Sequence, residues 1–413
     1  MSAFALAACD KPPPVAPSID VGPHDAARVD AGHDDAGRED AGLDAGDDVD
    51  ADVQNSCRFD VATDFFEIDY DLRSDVRRLS AAAGATSFGI VYSKHDVSDH
   101  EDLYFVEIPS NGGPPLTTQQ LTTDDFDDSS PVITRTGAGW LIGWLSNRDG
   151  NVEVYSLVDD AGAWTAAPRR QTHTDTIDET TPAVASDGTM NAIAWAEPGS
   201  PGATLALSVD TAGASATAPV RLAPTGAAMI PTSFTTTGSG YVVGWLGPTN
   251  DVWLQPLDAA LTAAGDPLSL TASPDGDGTI DAVVATTSGA AVYGVVPGGT
   301  RHEVHGHLLV GDGTLFHIEQ SLTIGEDTGT DAAIAILGDG FVVAYRQDGV
   351  APMLRVLLLD GALREISRAD LVAMTATGGP ITARVSGDGN VLLTWSDLVG
   401  SVNHMRLARL RCH

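Results

Sequence analysis

Carboxylates are the side chains of this sequence best suited to chemistry, and they come in groups. "TTDDFDDSSP" carries Asp124, Asp125, Asp127 and Asp128, and "HTDTIDETTP" carries Asp175, Asp178 and Glu179. "SPDGDGTID" carries Asp275, Asp277 and Asp281, and "GEDTGTD" carries Glu326, Asp327 and Asp331. Clustered carboxylates with no apparent counter-charge favour a hard cation or a basic partner. The plainer reading is that Asp and Thr serve as turn and capping residues on an acidic surface. In "DGDGTID", Asp275, Asp277 and Asp281 hold positions 1, 3 and 7 of a calcium-type loop. Ala285 and Thr286 stand where an EF-hand needs its bidentate Glu, so Ca2+ is a candidate there without being an EF-hand ligand. "RHEVHGH" offers His302, His305 and His307. On a strand His305 and His307 share a face and can chelate a transition metal, with a solvated face as the plainer reading.

Catalytic signatures are missing from the sequence. It holds no G-x-S-x-G elbow, no H-E-x-x-H pair and no phosphate-cradling loop. Paired carboxylates for glycoside cleavage stay open, because carboxylate separations are not legible in a sequence. The net charge is −35, from 57 acidic and 22 basic residues. That excludes nucleic acid, which needs a basic footprint, and a direct electrostatic hold on an anionic membrane.

These carboxylates need a frame, and an internal repeat supplies it. "SPVITRTGAGWLIGW" ends at Trp144, "TPAVASDGTMNAIAW" at Trp195 and "IPTSFTTTGSGYVVGW" at Trp245. "TDAAIAILGDGFVVAY" ends at Tyr345 and "GPITARVSGDGNVLLTW" at Trp395. Weaker copies place Tyr92 and Gly294 at the same point, so the anchors step by 52, 51, 50, 49, 51 and 50 residues. Each copy reads as a short strand, a Gly-rich turn, an apolar strand closing on the anchor, then a third and a weaker fourth strand. Pro131, Pro182, Pro231 and Pro380 enter the first strand. Gly139, Gly240, Gly289 and Gly340, five residues before the anchor, are expected to supply the positive φ of a tight hairpin. Four antiparallel strands per 50 residues is one propeller blade. The anchor aromatics are expected to pack blade on blade. Trp140, Trp164 and Trp253 fall outside that pattern and are expected on outer strands or loops.

The segment "SPVITRTGAGWLIGWLSNRDGNVEVYSLVDD" resembles a blade of TolB-like seven-bladed β-propellers. Pro131, the Asn147-Arg148-Asp149-Gly150-Asn151 turn and the Val152-Glu153-Val154-Tyr155 strand carry the resemblance. The likeness implies an architecture and no particular activity. Asp boxes of sialidases, Gly-His and Trp-Asp pairs of WD40 repeats and double-Gly Kelch signatures are absent.

The ends of the chain speak to address. In "MSAFALAAC", Leu6-Ala7-Ala8-Cys9 resembles a bacterial lipobox, so Cys9 is expected to be cut before and acylated. Residues 10–56 hold 13 acidic and 3 basic residues, a net of −10, with Asp-Ala-Gly triplets at Asp30, Asp35, Asp40 and Asp44. So little apolar surface predicts a disordered, extended tether. The last copy has three strands, and "CRFDVATDFFEIDYDL" ahead of the first copy can supply its fourth. That exchange closes the ring and brings Cys57 near Cys412, an expected disulfide outside the cytoplasm.

The expected protein is all-β, a seven-bladed β-propeller with four-stranded blades closed by the N-terminal strand. It divides into a lipobox remnant (1–9), an acidic tether (10–56) and the propeller (57–413). Its expected role is a monomeric, lipid-anchored, extracytoplasmic binding or scaffold module for protein or carbohydrate. Asp128, Asp178, Glu179, Asp281 and Asp331 are the candidate channel-mouth residues. A carboxylate-dependent glycoside hydrolase or lyase, and a structural envelope protein, are the alternatives.

Overall fold

The computed structural model describes residues 66–67, 79–95, 100–159, 162, 164–174, 176–180, 182–198, 203–222, 230–237, 239–246, 252–270, 280–284, 288–295, 303–311, 316–326, 328–347, 352–374, 381–399 and 402–410. Every regular element among them is a strand. A two-residue strand, β1 (Phe66–Glu67), comes first. Six four-stranded sheets of consecutive strands follow. The first holds β2 (Leu79–Ala83), β3 (Ser87–His95), β4 (Glu101–Pro109) and β5 (Thr117–Gln120). The second holds β6 (Asp128–Arg135), β7 (Trp140–Ser146), β8 (Glu153–Val158) and β9 (Arg169–Arg170). The third holds β10 (Ala183–Ser186), β11 (Asn191–Glu197), β12 (Ala203–Val209) and β13 (Val220–Arg221). The fourth holds β14 (Ile230–Thr236), β15 (Gly240–Leu246), β16 (Val252–Asp258) and β17 (Leu268–Ser269). The fifth holds β18 (Ile280–Val284), β19 (Ser288–Val295), β20 (Glu303–Gly311) and β21 (Phe316–Glu326). The sixth holds β22 (Thr328–Leu337), β23 (Gly340–Gln347), β24 (Met353–Leu359) and β25 (Glu365–Ala373).

A further sheet is composite. β26 (Thr382–Val385), β27 (Val391–Val399) and β28 (Val402–Leu410) are joined by β1, which pairs antiparallel with β28 as Phe66 to Leu407 and Glu67 to Arg406. The first strands touch in succession, β2 to β6, β10, β14, β18, β22 and β26, and β26 touches β2. Four-stranded antiparallel blades whose first strands adjoin form an all-β propeller.

The second strand of a blade is apolar on both sides because it has neighbours on both sides. In β7 every residue is buried. Ile142 and Trp144 pack on Val91 and Phe105 of the first blade, while Leu141 and Leu145 pack on Val184, Ile193 and Trp195 of the third. The two-residue alternation of a strand thus feeds two cores. The anchors fill these interfaces: Tyr92, Trp144, Trp195, Trp245, Tyr345 and Trp395 are all buried. Between the fourth and fifth blades, among the described residues, Ala291 and Leu309 pack with Val242, Val252 and Leu254. The composite sheet and the first blade share Leu392, Met405 and Leu407 with Leu79 and Phe88. Gly387 N and Asp388 N also donate to Gly84 O and Ala85 O, both at 3.0 Å.

Two expectations need correction. Gly139, Gly240 and Gly340 do not take positive φ. They are glycines because the third strand runs too close: an added Cβ would lie 2.6 Å from Asp159 O, 2.1 Å from Leu257 O and 2.2 Å from Leu359 O respectively. The left-handed glycines of these turns lie earlier, at Gly188 and Gly338. Trp140 is not on an outer strand or loop. It is buried on β7 and lies against Gly89, whose added Cβ would meet its ring at 3.0 Å. Trp164 does lie in a loop, edge-on to Phe105 at 4.9 Å, and Trp253 lies on the third strand β16.

Candidate functional site

Antiparallel order puts two kinds of loop on one face of the propeller: those entering a first strand and those joining second to third strands. The second blade's members of that face are built around Asp128. This residue opens β6, opposite Ser146 of β7, just before a bulge at Ser129 to Val132 that holds Pro131. Ser130 takes φ 54° there. Asp128 is fully buried. Its Oδ1 accepts from Trp144 Nε1 at 2.9 Å and from Arg148 Nη2 at 2.8 Å, and Oδ2 accepts from the same Nη2 at 2.9 Å. Arg148 Nε donates to Ser146 Oγ at 2.9 Å, and its guanidinium lies 4.6 Å from the Tyr155 ring centre. It also pairs with Asp124 at 3.2 Å. Partial burial, then the charge of Asp128, raise the Asp124 carboxyl above its ordinary range.

A second buried carboxylate lies one strand further out. Glu153 accepts from Arg170 Nη2 at 2.5 Å, from Asn151 Nδ2 at 3.0 Å and from the Thr172 hydroxyl. Arg170 reaches it because β9 pairs with β8, setting Arg170 opposite Tyr155. Tyr155 donates its hydroxyl to Asp149, which also pairs with Arg170 at 3.4 Å. Burial, then the bond to Asp149, hold the Tyr155 hydroxyl well above its ordinary pKa. The expectation of acidic loops without counter-charge is therefore wrong in this blade. Asp331 is also paired, with the buried Arg346 at 3.1 Å.

Above this braced layer is an open cleft of about 360 Å3, lined by Glu101, Asp127, Ser129, Leu145, Ser146, Asn147 and Val152. Asp127 and Asn147, both in its lining, clamp each other: Asp127 N donates to Asn147 Oδ1 at 3.0 Å, and Asn147 Nδ2 donates to Asp127 Oδ2 at 3.1 Å. Asp127 Oδ1 accepts from Glu101 N at 3.3 Å, tying the first blade in. Phe126 stands beside the clamp, 40% exposed.

The other expected site residues are distributed as follows. Asp178 accepts from Val152 N at 2.8 Å, fastening the entry to the third blade onto the second. Glu179 is buried, with Thr174 Oγ1 donating to its Oε1 at 2.5 Å. Asp281 and Asp331 sit within strands β18 and β22, not in loops. Asp128 is enclosed and engaged by Trp144 and Arg148, so in this fold it braces the face. Asp275, Asp277, Cys9, Cys57, Cys412, His302 and the proposed tether lie outside the described residues. Among the described residues no three His, Cys, Asp or Glu side chains are placed to hold a metal ion. His307 is not on a solvated face: it is buried, lies 2.7 Å from Ser321 Oγ, and burial with the neighbouring His305 pushes its pKa down to about 4.

Glu179 gives the site its pH dependence. Burial, with Glu153 nearby, pushes its carboxyl up to about 7 from 4.5. The folded state therefore holds a proton that the unfolded chain has released. Stability is full below pH 4.5, falls as pH rises through 7, and is flat above. Glu179→Gln should stabilise the protein by roughly 1–3 kcal/mol at pH 8 and change little at pH 4. Urea midpoints of both proteins across that range measure the difference.

The strand pairing and the braced loop face place this chain in the β-propeller class. No protein-family model matches it. No curated protein matches it either. Among solved structures it is similar to a puromycin-hydrolyzing peptidase of Mycobacterium tuberculosis, at 14% identity, 80% of this chain, 54% of that chain and TM-score 0.49. It is similar to a Dyadobacter fermentans protein of unknown function, at 12% identity, 84% of this chain, 98% of that chain and TM-score 0.47. A subtype N10 neuraminidase-like protein of A/little yellow-shouldered bat shows 10% identity, 85% and 99% coverage and TM-score 0.45. None of these likenesses carries an argument about chemistry; the class rests on this chain's own strands.

Proposed function

We propose that this chain is a monomeric, lipid-anchored, extracytoplasmic binding or scaffold module that recognises protein or carbohydrate at the cleft between its first and second blades. The observation that carries the reading is the Asp127–Asn147 clamp. It offers fixed acceptors and donors beside the exposed aromatic Phe126, on a floor locked by the Asp128–Arg148 pair. A preorganised polar cleft loses little freedom on binding, which is what recognition without chemistry requires. The anchor is acylated Cys9, followed by the 10–56 tether.

The architecture we propose is a closed seven-bladed ring of TolB-like type. The contacts from β26 to β2 and the completion of the last sheet by β1 support it. A Cys57–Cys412 disulfide would clasp it, visible as a linked peptide in a non-reducing digest. The chain-entropy model gives roughly 5–6 kcal/mol for a loop of that length.

Screening glycan arrays and envelope extracts tests the reading. One ligand class should be retained, and Asp127→Ala should weaken it by about tenfold or more. Binding untouched by Asp127→Ala would refute the cleft assignment. A carboxylate-dependent glycoside hydrolase or lyase has one observation in its favour: Glu179 keeps its proton near neutral pH, as a general acid must. Turnover of a glycoside panel, lost in Glu179→Gln, would favour that rival.

A further inference from the structure

Blades two and three repeat one pattern at a spacing of 51 residues. "DDSSPV" from Asp127 corresponds to "DETTPA" from Asp178, so Asp128 matches Glu179 and Trp144 matches Trp195. The backbone keeps the same correspondence: Ser129 pairs with Leu145, and Thr180 N donates to Ala196 O at 3.0 Å. In blade two the carboxylate is saturated, since Asp128 Oδ1 takes both the Trp144 indole and the Arg148 guanidinium.

In blade three the acceptor and the indole remain, and among the described residues no arginine pairs with Glu179. The residue 51 positions after Arg148 is Gly199. Glu179 is 4% exposed and Trp195 1% exposed. Among the described residues Glu179 Oε2 has no hydrogen-bond partner, and neither has Trp195 Nε1. The charges of Glu153 and Glu197 also bear on Glu179, and Arg170 is engaged with Glu153 and Asp149. A buried carboxylate oxygen left unpaired is costly, and the twin blade shows which chemistry relieves it.

We propose that Glu179 and Trp195 form a receptor site for a guanidinium or primary ammonium group supplied from outside the chain. Such a cation takes the place that Arg148 holds in blade two. It donates to the free Glu179 oxygen, and the carboxylate in turn accepts from the Trp195 indole. The net charge of −35 draws cations to the protein. The group can belong to a small amine or to an Arg or Lys side chain of a partner. The site adjoins the cleft at Val152, whose O accepts from Glu179 N at 3.0 Å, but none of its own residues lines the cleft.

Indole N–H resonances of the full chain report on this site, with the Trp195 signal identified by its loss in Trp195→Phe. Agmatine and the peptide acetyl-Gly-Arg-Gly-amide are the two probes, with CaCl2 as the control cation. The Trp195 signal should shift on titration, and Glu179→Gln should weaken the response roughly tenfold or more while leaving the other indole signals in place. A response to both probes supports a site for any guanidinium, and a response to the peptide alone supports a partner's side chain. Silence toward both probes up to about 10 mM overturns the proposal. So does an undiminished response in Glu179→Gln, or a response to CaCl2 in place of both probes.

Discussion

Arg148→Met should lower the unfolding free energy by about 3–5 kcal/mol, because it leaves Asp128 charged, buried and without its counter-ion. Asp128 is fully buried, and Arg148 supplies two of its hydrogen bonds and the only cation paired with it among the described residues. Methionine keeps an unbranched apolar chain but removes the guanidinium that lies over the Tyr155 ring, so the loss reports the cation's contacts with Asp128 and Tyr155 together. Adding Asp128→Asn to Arg148→Met should recover part of it, since the remaining group is then neutral. Equilibrium urea unfolding of the single and double variants measures the coupling. The same change loosens the floor under the Asp127–Asn147 clamp, so binding at the cleft should weaken even in the folded fraction.

Trp245→Ala should cost a similar 3–5 kcal/mol by a different cause, a cavity. Trp245 is fully buried between the third and fourth blades, among Ala183, Ala185, Ala194, Tyr241 and Val243. Several of its neighbours are alanines, whose short side chains have little reach to fill the void. No charged partner is disturbed and the cleft lies two interfaces away, so binding by the folded fraction should be unchanged. The midpoint should fall while the denaturant slope stays constant.

The contrast between these residues shows what the sequence makes legible. Trp245 and its fellow anchors are readable because an aromatic recurring every 50 residues has one use in a blade, filling the next interface. The strands on either side are readable for the same reason, and the composite last sheet follows from the missing fourth strand. Arg148 and Arg170 are not readable as counter-charges. They stand 22 residues apart and meet their carboxylates only through the pairing of β8 with β9 and the return of the 147–151 turn. Asp128 therefore looks like a ligand residue in the sequence and is a brace in the fold. Gly240 and Gly340 are readable as required glycines, but the reason differs: strand spacing, not a left-handed turn. Asp281 and Asp331 look like loop residues because Gly and Thr surround them, yet β18 and β22 extend through those positions. Glu179 is legible in the sequence as an acid. Its orphaned oxygen emerges only by setting it against Asp128 in the neighbouring blade.

Site-specific photo-crosslinking shows whether recognition takes place at the cleft between the first two blades. A benzoylphenylalanine at Phe126 conserves the aromatic ring beside the clamp. The same group at Ile366, 60% exposed on the outer strand β25, samples a different surface. In envelope extract a defined adduct is expected from position 126, lost when Asp127→Ala is added, and none from position 366. Equal adducts from both positions, or adducts from position 366 alone, would contradict it.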